Sequence, residues 1–342
     1  WQGPVERNRS VSTNAASSLQ PSEVLHFLRS SLQQLFVFAA LVVVFVFFMF
    51  SVNNFGLGII PDILLQSAAI GTMALGATFI IATGGIDLSV GTGMTFCAVM
   101  AGVFMSSQFM DLPLGLGLLL TLLVGVAVGL VNGILIAFLG LPPFIATLAM
   151  MMVTRGLSLI ISKSSSIKIA NPDYFAIANG DLLPFLSNAA LIFVILGIAA
   201  AVLLSKTLLG RYALAIGSNE EATRLSGVNV KVWKLLVYVI AGLFTAFGAI
   251  LYSARFGFVQ PAEGLGMELQ VIAAVVIGGT SLSGGRANIV GTMTGALLMM
   301  TLTVGLQMMG VQQQWQFVVT GVVVMLAVYA DILRRKRAAA AL

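Results

Sequence analysis

The stretch Ile81-Ala-Thr-Gly-Gly-Ile-Asp-Leu-Ser-Val-Gly91 places two glycines and an aspartate where an apolar run would otherwise continue. A second stretch, Val276-Ile-Gly-Gly-Thr-Ser-Leu-Ser-Gly-Gly285, carries a similar pattern much later in the chain. The two align at one constant offset, which pairs Gly84 with Gly278, Gly85 with Gly279, Leu88 with Leu282, Ser89 with Ser283 and Gly91 with Gly285. This repetition predicts a protein built from two related halves, each interrupted at an equivalent place.

The composition around these stretches is that of a membrane protein. Of 342 residues, 59% are hydrophobic and 8% are charged, whereas about a quarter of the residues of a soluble domain are charged. Because the 36 glycines allow helix backbones to approach closely in lipid, we expect an all-α, polytopic bundle surrounded by membrane lipid. The net charge of +5 and the pI of about 9.6 come from basic residues spread between apolar spans, so nucleic acid is not expected as a partner.

About 20 apolar residues cross a bilayer, and runs of that length between polar breaks predict ten transmembrane helices. Their limits are 34–51, 64–82, 89–107, 114–138, 144–162, 187–205, 234–253, 268–283, 288–307 and 314–332. Spans 64–82 and 268–283 are the least distinct, because each runs directly into a glycine cluster.

These spans define the organisation of the chain. An N-terminal tail (1–33) precedes a transmembrane domain (34–332), and a basic tail (333–342) follows it. The two glycine clusters fall at equivalent places in the series of spans, so the halves 34–138 and 234–332 are expected to be parallel repeats.

The distribution of lysine and arginine predicts the orientation. Thirteen of the 17 basic residues fall on the side of the N-terminus, and only Lys163, Lys168 and Arg255 fall on the opposite side, with Arg155 inside a span. This bias predicts that both termini are cytoplasmic. Trp233 and Trp315 lie at span ends, where interfacial aromatic residues are common.

Asp87 is the most conspicuous polar residue within the apolar sequence. An intramembrane acid is a functional-site hypothesis by default, but Asp87-Leu-Ser also precedes a span, where a carboxylate can accept hydrogen bonds from free helix N–H groups. Three roles stay open: a helix cap, a cap that also lines a pathway, and direct binding of a substrate or ion. Gly84 and Gly85 allow a tight turn, and Ser281 replaces the acid in the second stretch and can also cap a helix.

The segment 206–233 is long compared with the other connections, and it lies on the cytoplasmic side. Within it, Ser218-Asn219-Glu220-Glu221 is typical of a helix start, and Gly227 is typical of a helix end. We expect a helix of about two turns outside the membrane. It is either an ordinary surface helix or a docking element, with Glu220, Glu221 and Arg224 on the contact surface.

Four motifs in order carry a resemblance to a known family. They are Gly84-Gly-Ile-Asp-Leu-Ser-Val-Gly91, Gly210-Arg-Tyr, Gly217-Ser-Asn-Glu-Glu-Ala-Thr-Arg-Leu-Ser-Gly-Val-Asn229 and Ala273-Ala-Val-Val-Ile-Gly-Gly-Thr-Ser-Leu-Ser-Gly-Gly285. Together they resemble the permease subunits of bacterial ribose-type monosaccharide ABC importers, within the branched-chain amino acid/ribose transport permease superfamily. The similarity extends from about residue 35 to about residue 332.

This resemblance implies a type II-like permease in the bacterial inner membrane. Its expected partners are a second permease copy or a paralogous permease, a periplasmic sugar-binding protein and a cytoplasmic ATPase with two fused nucleotide-binding halves. The helix near 219–227 would be the coupling helix that seats on the ATPase. The coupling residues are then Arg211, Gly217, Asn219, Glu220, Glu221, Ala222, Arg224 and Gly227.

The chain itself is not expected to be an enzyme. It has no G-x-x-x-x-G-K-[ST] phosphate loop, so ATP and Mg would be bound by the partner ATPase and this chain would hold no cofactor. With His26 as the single histidine and Cys97 as the single cysteine, the sequence offers neither a Cys/His metal set nor a Ser-His-acid triad.

Two polar segments, 163–174 and 254–263, are the longest pieces on the outer side. Lys163, Lys168 and Arg255 are candidates for docking acidic residues of a binding protein, and headgroup contact is the alternative. Arg155 is expected to pair within the bundle or to reach an interface.

The leading function is a permease for a ribose-like pentose, a hexose or a related polyol that works by alternating access. The residues expected to form hinges or to line its pathway are Gly84, Gly85, Asp87, Ser89, Gly91, Gly278, Gly279, Thr280, Ser281, Ser283 and Gly285. One alternative is an ion-coupled secondary carrier, which would need Asp87 or Glu268 as a titratable group. Another is an ABC permease for a non-sugar polar solute such as a nucleoside. A static scaffold is disfavoured, because it has little reason to keep two glycine breaks.

Overall fold

The computed structural model of the protein describes residues 21–183 and 186–339. Most of the described chain is helical, with one small two-stranded sheet. The elements are α1 (Pro21–Ser51), α2 (Ile60–Ala82, after a 3-10 turn at Leu57–Ile59), α3 (Val90–Met105), α4 (Leu114–Ala137), α5 (Pro143–Ile161), β1 (Ile167–Lys168), α6 (Pro172–Asn179), α7 (Asn188–Lys206), α8 (Leu208–Ser218), α9 (Glu220–Leu225), α10 (Val230–Phe256), β2 (Phe258–Val259), α11 (Met267–Ile277), α12 (Ile289–Met308) and α13 (Gln313–Ala339).

Each of the ten expected spans corresponds to a helix, but two of the helices are short. Among the described residues, eight helices are long and apolar enough to cross a membrane, whereas α3 has 16 residues and α11 has 11. At 1.5 Å per residue, α11 rises about 16 Å, roughly half of the hydrocarbon thickness. The predicted limit of this span at 283 was wrong, because the helix stops at Ile277 before Gly278 and Gly279.

Two other helix boundaries differ from the sequence predictions, and one segment holds an additional helix. Helix α1 begins at Pro21, within the expected N-terminal tail, and α13 continues to Ala339, within the expected C-terminal tail. Residues 1–20 and 340–342 of those tails lie outside the described residues. The segment 206–233 holds a further amphipathic helix, α8, in addition to the expected short helix α9.

The core forms around α10, which packs most extensively on α4 and α2. Small residues make this packing possible, as they do in lipid-embedded bundles. A Cβ at Gly125 or Gly129 of α4 would collide with the backbone of α10, and one at Gly242 of α10 would collide with the backbone of α4. The α4 and α10 backbones therefore touch, and no larger side chain fits between them.

The helix directions give the bundle two distinct ends. Helix α10 starts directly after α9, and its 27 residues extend about 40 Å. Gly76 of α2 packs near Phe244 and Gly248 of α10 packs near Met73, so the two helices are antiparallel. We call the end that carries α9, the start of α10 and the end of α2 the α9 end, and the opposite end the far end.

Candidate functional site

The first helix break comprises residues 83–89, between α2 and α3. The Gly84 amide donates to Ile81 O at 2.9 Å and the Gly85 amide donates to Ile80 O at 3.1 Å. Gly84 has a φ of 78°, the left-handed conformation that commonly follows a helix and that glycine adopts without strain. This glycine therefore ends α2 and turns the chain.

The carboxylate of Asp87 fixes the second part of this break. Its Oδ1 accepts the Ser89 amide at 2.7 Å and the Ser89 hydroxyl at 2.6 Å, while Asn132 of α4 donates to Ser89 Oγ at 2.9 Å. The N-cap residue of α3, Ser89, makes no side-chain cap bond. Asp87 thus holds the backbone just before the helix rather than the amides of its first turn.

Two neighbouring helices also hold this segment. Besides the bond from Asn132, the Leu88 amide donates to Thr147 Oγ1 of α5 at 3.1 Å. Asn132 and Thr147 are both buried, and the sequence interpretation named neither of them. Asn132 could have been singled out from the sequence, because it is a polar residue within an apolar span.

The second helix break comprises residues 278–288, between α11 and α12. Three of its glycines are left-handed, with φ values of 98° at Gly279, 81° at Gly284 and 74° at Gly285. The expected cap residue Ser281 does not cap α12. Asn288 does so, since its Oδ1 accepts the Gly291 amide at 2.9 Å.

The two breaks are equivalent in position but not in register. Gly279, rather than Gly278, has the left-handed conformation that Gly84 has, so the alignment at a constant offset is shifted by one residue here. Gly91 lies inside α3, whereas Gly285, its partner in that alignment, lies in the break. The second break is also longer, with 11 residues (278–288) against seven (83–89).

The end of α8 meets the second break and the last residue of α2, where the first break begins. The Gly285 amide donates to Ala82 O at 2.9 Å, which joins the second break to the end of α2. A Cβ at Gly217 of α8 would collide with Ala82 O and lie 2.5 Å from Gly285 N, and one at Gly284 would lie 2.7 Å from the Gly217 Cα. We call this contact of Gly217, Ala82 and residues 284–285 the glycine junction.

The short helix α9 follows the glycine junction and lies at the surface. Asn219 caps it by accepting the Ala222 amide at 2.9 Å. Glu221 pairs with Arg224 at 2.6 Å and Glu220 pairs with Lys234 at 2.7 Å. The remaining expected coupling residues are also accessible here: Arg211 and Ala222 are exposed, and Gly227 ends the helix with a φ of 85°.

Leu225 is a further surface residue of α9 that the sequence interpretation missed. Its side chain is 79% exposed, which is unusual for a leucine beside charged residues. The sequence feature that could have indicated Leu225 is a single apolar residue at the end of a short polar helix. An exposed leucine of this kind suits contact with another protein.

The hydroxyl groups expected along a pathway lie mostly inside the packing. Ser89, Thr280 and Ser281 are buried, and Thr280 Oγ1 accepts the Asn288 amide at 3.2 Å. Ser283 is exposed. Three of these four side chains therefore face protein rather than an open path.

The far end brings together the two outer polar segments. Strands β1 and β2 pair antiparallel, with Lys168 opposite Phe258. Lys163 and Lys168 are exposed, whereas Arg255 is half-buried and its guanidinium lies 4.7 Å from the centre of the Phe256 ring. Arg255 thus differs from the two lysines in its burial and in its aromatic contact. Arg155 is half-buried within α5.

Glu268 is a second acid within the apolar bundle. It is buried in the first turn of α11, and its carboxylate accepts the Gly266 amide at 3.0 Å. Its Oε2 also lies against Gly91 of α3. Like Asp87, it is held by a backbone amide next to a helix start. Among residues 21–183 and 186–339, no group of three or more His, Cys, Asp and Glu side chains is placed to hold a metal ion.

The sequence was compared with known families and proteins. The family described as "Branched-chain amino acid transport system / permease component" matches residues 59–328. The chain belongs to this family. Membership confirms the resemblance drawn from the four motifs and, with the eight long apolar helices, identifies a multi-pass membrane permease.

Several members of the family are close relatives. The chain is 37% identical to the ribose import permease of Escherichia coli (strain K12) over 303 residues, which cover 88% of this chain and 94% of that protein. It is 40% identical to the ribose import permease of Bacillus subtilis (strain 168) over 282 residues, 82% of this chain and 85% of that protein. An L-arabinose ABC transporter permease of Azospirillum brasilense is 36% identical over 282 residues, 81% of each chain. No solved structure matches the chain.

Proposed function

We propose that the chain is the permease subunit of an ABC importer that carries a monosaccharide across the bacterial inner membrane. Relatives that match most of the chain are named as a ribose import permease and as an L-arabinose ABC transporter permease. In this proposal both termini are cytoplasmic, so the α9 end faces the cytoplasm and the far end faces the periplasm. The thirteen basic residues that the sequence pattern assigns to the side of the N-terminus support this orientation.

The complete importer contains further subunits. A periplasmic binding protein delivers the sugar, a cytoplasmic ATPase with two fused halves binds ATP and Mg, and a second permease copy or a paralogue completes the membrane core. The exposed surface of α9, with Glu220, Glu221, Arg224 and Leu225, is the docking site for the ATPase.

The glycine junction is the observation that carries the mechanism. Because the end of α8 touches the second helix break and the last residue of α2, any displacement of α9 by the ATPase reaches the end of α2 and the loop before α12 together. The breaks then act as two hinges, and the helices beyond them tilt between inward-open and outward-open arrangements. Sugar selection resides mainly in the binding protein.

The variant Gly217→Val tests this mechanism. A valine side chain would collide with Ala82 O, so we expect the complex to assemble with its ATPase while sugar transport falls at least about tenfold. Gly156→Val is the matched control, because a Cβ there meets nothing within 4 Å. Normal transport by Gly217→Val in proteoliposomes would contradict the mechanism.

The two exposed lysines at the far end are the proposed contact for the binding protein. Charge reversal at Lys163 and Lys168 should weaken the stimulation of ATPase activity by the sugar-loaded binding protein, and the effect should shrink as salt is raised. The double variant to arginine keeps the charges and serves as the control. Equal stimulation of the reversed and control variants would rule out this contact.

An ion-coupled carrier makes a different prediction from an ABC importer. Transport into vesicles that persists without ATPase and requires an ion gradient would identify the carrier. We expect strict dependence on ATP, because Asp87 and Glu268 are both engaged by backbone amides. Competition between sugars and nucleosides in the same assay separates the two solute classes.

A further inference from the structure

A large cavity lies at the far end, beside the outer polar segment 254–263. Its volume is about 700 Å³, within the range typical of small-molecule sites. The start of α2, the end of α10, the 262–266 segment, α11, the end of α12 and the start of α13 surround it. All of this lining belongs to one chain.

The lining is unusually rich in side-chain amides. Five of the thirteen glutamines of the chain line this one cavity, although they come from four different helices. Within the described residues, only one of the five has a side-chain hydrogen bond, from Gln316 Nε2 to Val311 O at 2.8 Å. The others leave their donors and acceptors available to a ligand or to water: Gln66, Gln270, Gln307 and Gln313.

The charged groups in the lining are few and of opposite sign. Arg255 is half-buried, and Glu263 accepts the Tyr252 hydroxyl at 2.8 Å. Amides both donate and accept hydrogen bonds, so the set matches a ligand that carries many hydroxyl groups and no net charge. Phe256 and Phe317 add apolar faces against which the C–H face of a sugar ring can pack.

We propose that this cavity binds a neutral polyhydroxylated solute of monosaccharide size after its delivery at the far end. The inference rests on the proposed transport function and extends it, since it places a solute site inside a single permease chain. Gln66 and Gln270 hydrogen-bond the hydroxyl groups, and Phe317 contacts the ring.

The position of the cavity also connects the ligand to both helix breaks. Its wall segment 262–266 contacts the start of α3, where Thr95 Oγ1 donates to Glu263 O at 3.0 Å and Gly91 lies against Gly264 O. Its wall helix α11 leads directly to the second break. A solute that orders these walls therefore acts on the helices beside both hinges.

Protection of an introduced cysteine tests the site directly. In the reconstituted importer, Gln270→Cys is reacted with a polar thiol reagent, since the native Cys97 is buried. D-ribose, L-arabinose or D-galactose at high millimolar concentration should slow this reaction by about threefold or more. Gln312→Cys lies outside the cavity lining and should react at the same rate with and without sugar.

The result separates several outcomes. Equal reaction rates at Gln270→Cys with and without every sugar would overturn the cavity site. Stronger protection by a sugar acid than by the neutral sugar would contradict the proposal that the ligand is uncharged, because Arg255 would then dominate binding.

Transport by amide-deletion variants provides the second readout. Gln66→Ala and Gln270→Ala should each lower transport at limiting sugar-loaded binding protein by about tenfold, the effect of one lost hydrogen bond near the top of its usual range. Both variants should assemble with the partner subunits, and Gln312→Ala, outside the cavity lining, should transport normally. Normal transport by both variants would count against the site.

The proposed function and the cavity site can fail separately. If the unmodified importer carries no sugar, the proposed function is wrong. If it carries sugar but neither protection nor a transport defect is found, only the cavity site is wrong.

Discussion

Each of the two helix breaks ends one helix and leads into the next, but different interactions hold the two segments in place. The first, at 83–89, is short and is held by side chains, chiefly the Asp87 carboxylate on Ser89 and the bond from Asn132. The second, at 278–288, is longer and contains three left-handed glycines. A break fixed by side-chain hydrogen bonds tolerates the loss of a bonding partner less than a change of backbone conformation, and the reverse holds for a break fixed by glycine conformation.

This contrast explains why the first break contains an aspartate, Asp87, whereas the second has Ser281 at the aligned position. In the first break a carboxylate is needed because the backbone between Gly85 and Val90 has few backbone partners of its own. In the second, the Ser281 amide donates to Arg286 O at 3.1 Å and the Gly285 amide donates to Ala82 O. Backbone groups satisfy one another there, so no charged side chain is required.

The largest effect is expected for Gly284→Ala in the second break. Its φ of 81° costs an alanine about 1–2 kcal/mol, and its Cβ would lie 2.7 Å from the Gly217 Cα, which adds about 1–3 kcal/mol of overpacking. The thermal midpoint of the purified protein and its transport rate should both fall clearly. Gly310→Ala separates strain from collision, since Gly310 has a φ of 73° and open space around it. Equal losses in the two variants would refute a tight glycine junction.

The next largest effect is expected for Asp87→Ala in the first break. The change removes the acceptor of the Ser89 amide and hydroxyl, which leaves buried donors unpaired at a cost of about 2 kcal/mol. Asp87→Asn keeps an acceptor oxygen in the same place and should cost less. Both variants should impair assembly or coupling rather than sugar choice. A changed sugar preference at normal expression would instead indicate that Asp87 contacts the solute.

A smaller effect is expected for Gly84→Ala. Gly84 has a φ of 78°, but its Cβ would meet only Ser283 O at an ordinary distance of 3.5 Å. The variant should therefore lose only the stability that an alanine costs in a left-handed conformation, about 1–2 kcal/mol. Its thermal midpoint should resemble that of Gly310→Ala. A loss as large as that of Gly284→Ala would show that the two breaks are equally crowded.

The smallest effect is expected for Asn288→Ala, which removes the cap of α12. Loss of such a cap costs about 1 kcal/mol, and Asn288→Asp should restore most of it, because a carboxylate also accepts the Gly291 amide. Thermal midpoints of the two variants provide the measurement. If the thermal midpoints of both variants are equally far below that of the native protein, the hydrogen bond to the Gly291 amide does not explain the stabilising effect of Asn288.

The sequence predicted the parts of this structure that depend on local signals. The ten apolar runs each became a helix, Asn219 caps α9 as its neighbours suggested, and four motifs were enough to identify the family. The first glycine pair, Gly84-Gly85, was placed correctly after the end of a span, because a left-handed glycine commonly follows the last turn of a helix.

Features that depend on distant contacts were not predictable. The bond from Asn132 to Ser89 joins α4 to the first break, and no local pattern indicates it. The length of α11 was overestimated because the residues of 278–283 are small and apolar enough to extend a hydropathy window. The glutamine-lined cavity went unnoticed, since its side chains come from helices far apart in the chain.

The close contact of α4 with α10 has a consequence for biosynthesis. The glycine face of α4 fits only the backbone of α10, yet roughly ninety residues separate the two helices. At a usual rate of translation, α4 waits on the order of ten seconds for its neighbour. During that time its glycines face lipid or an insertion factor, and we expect nascent chains truncated before Val230 to cross-link to such a factor through α4, whereas chains that include α10 should not.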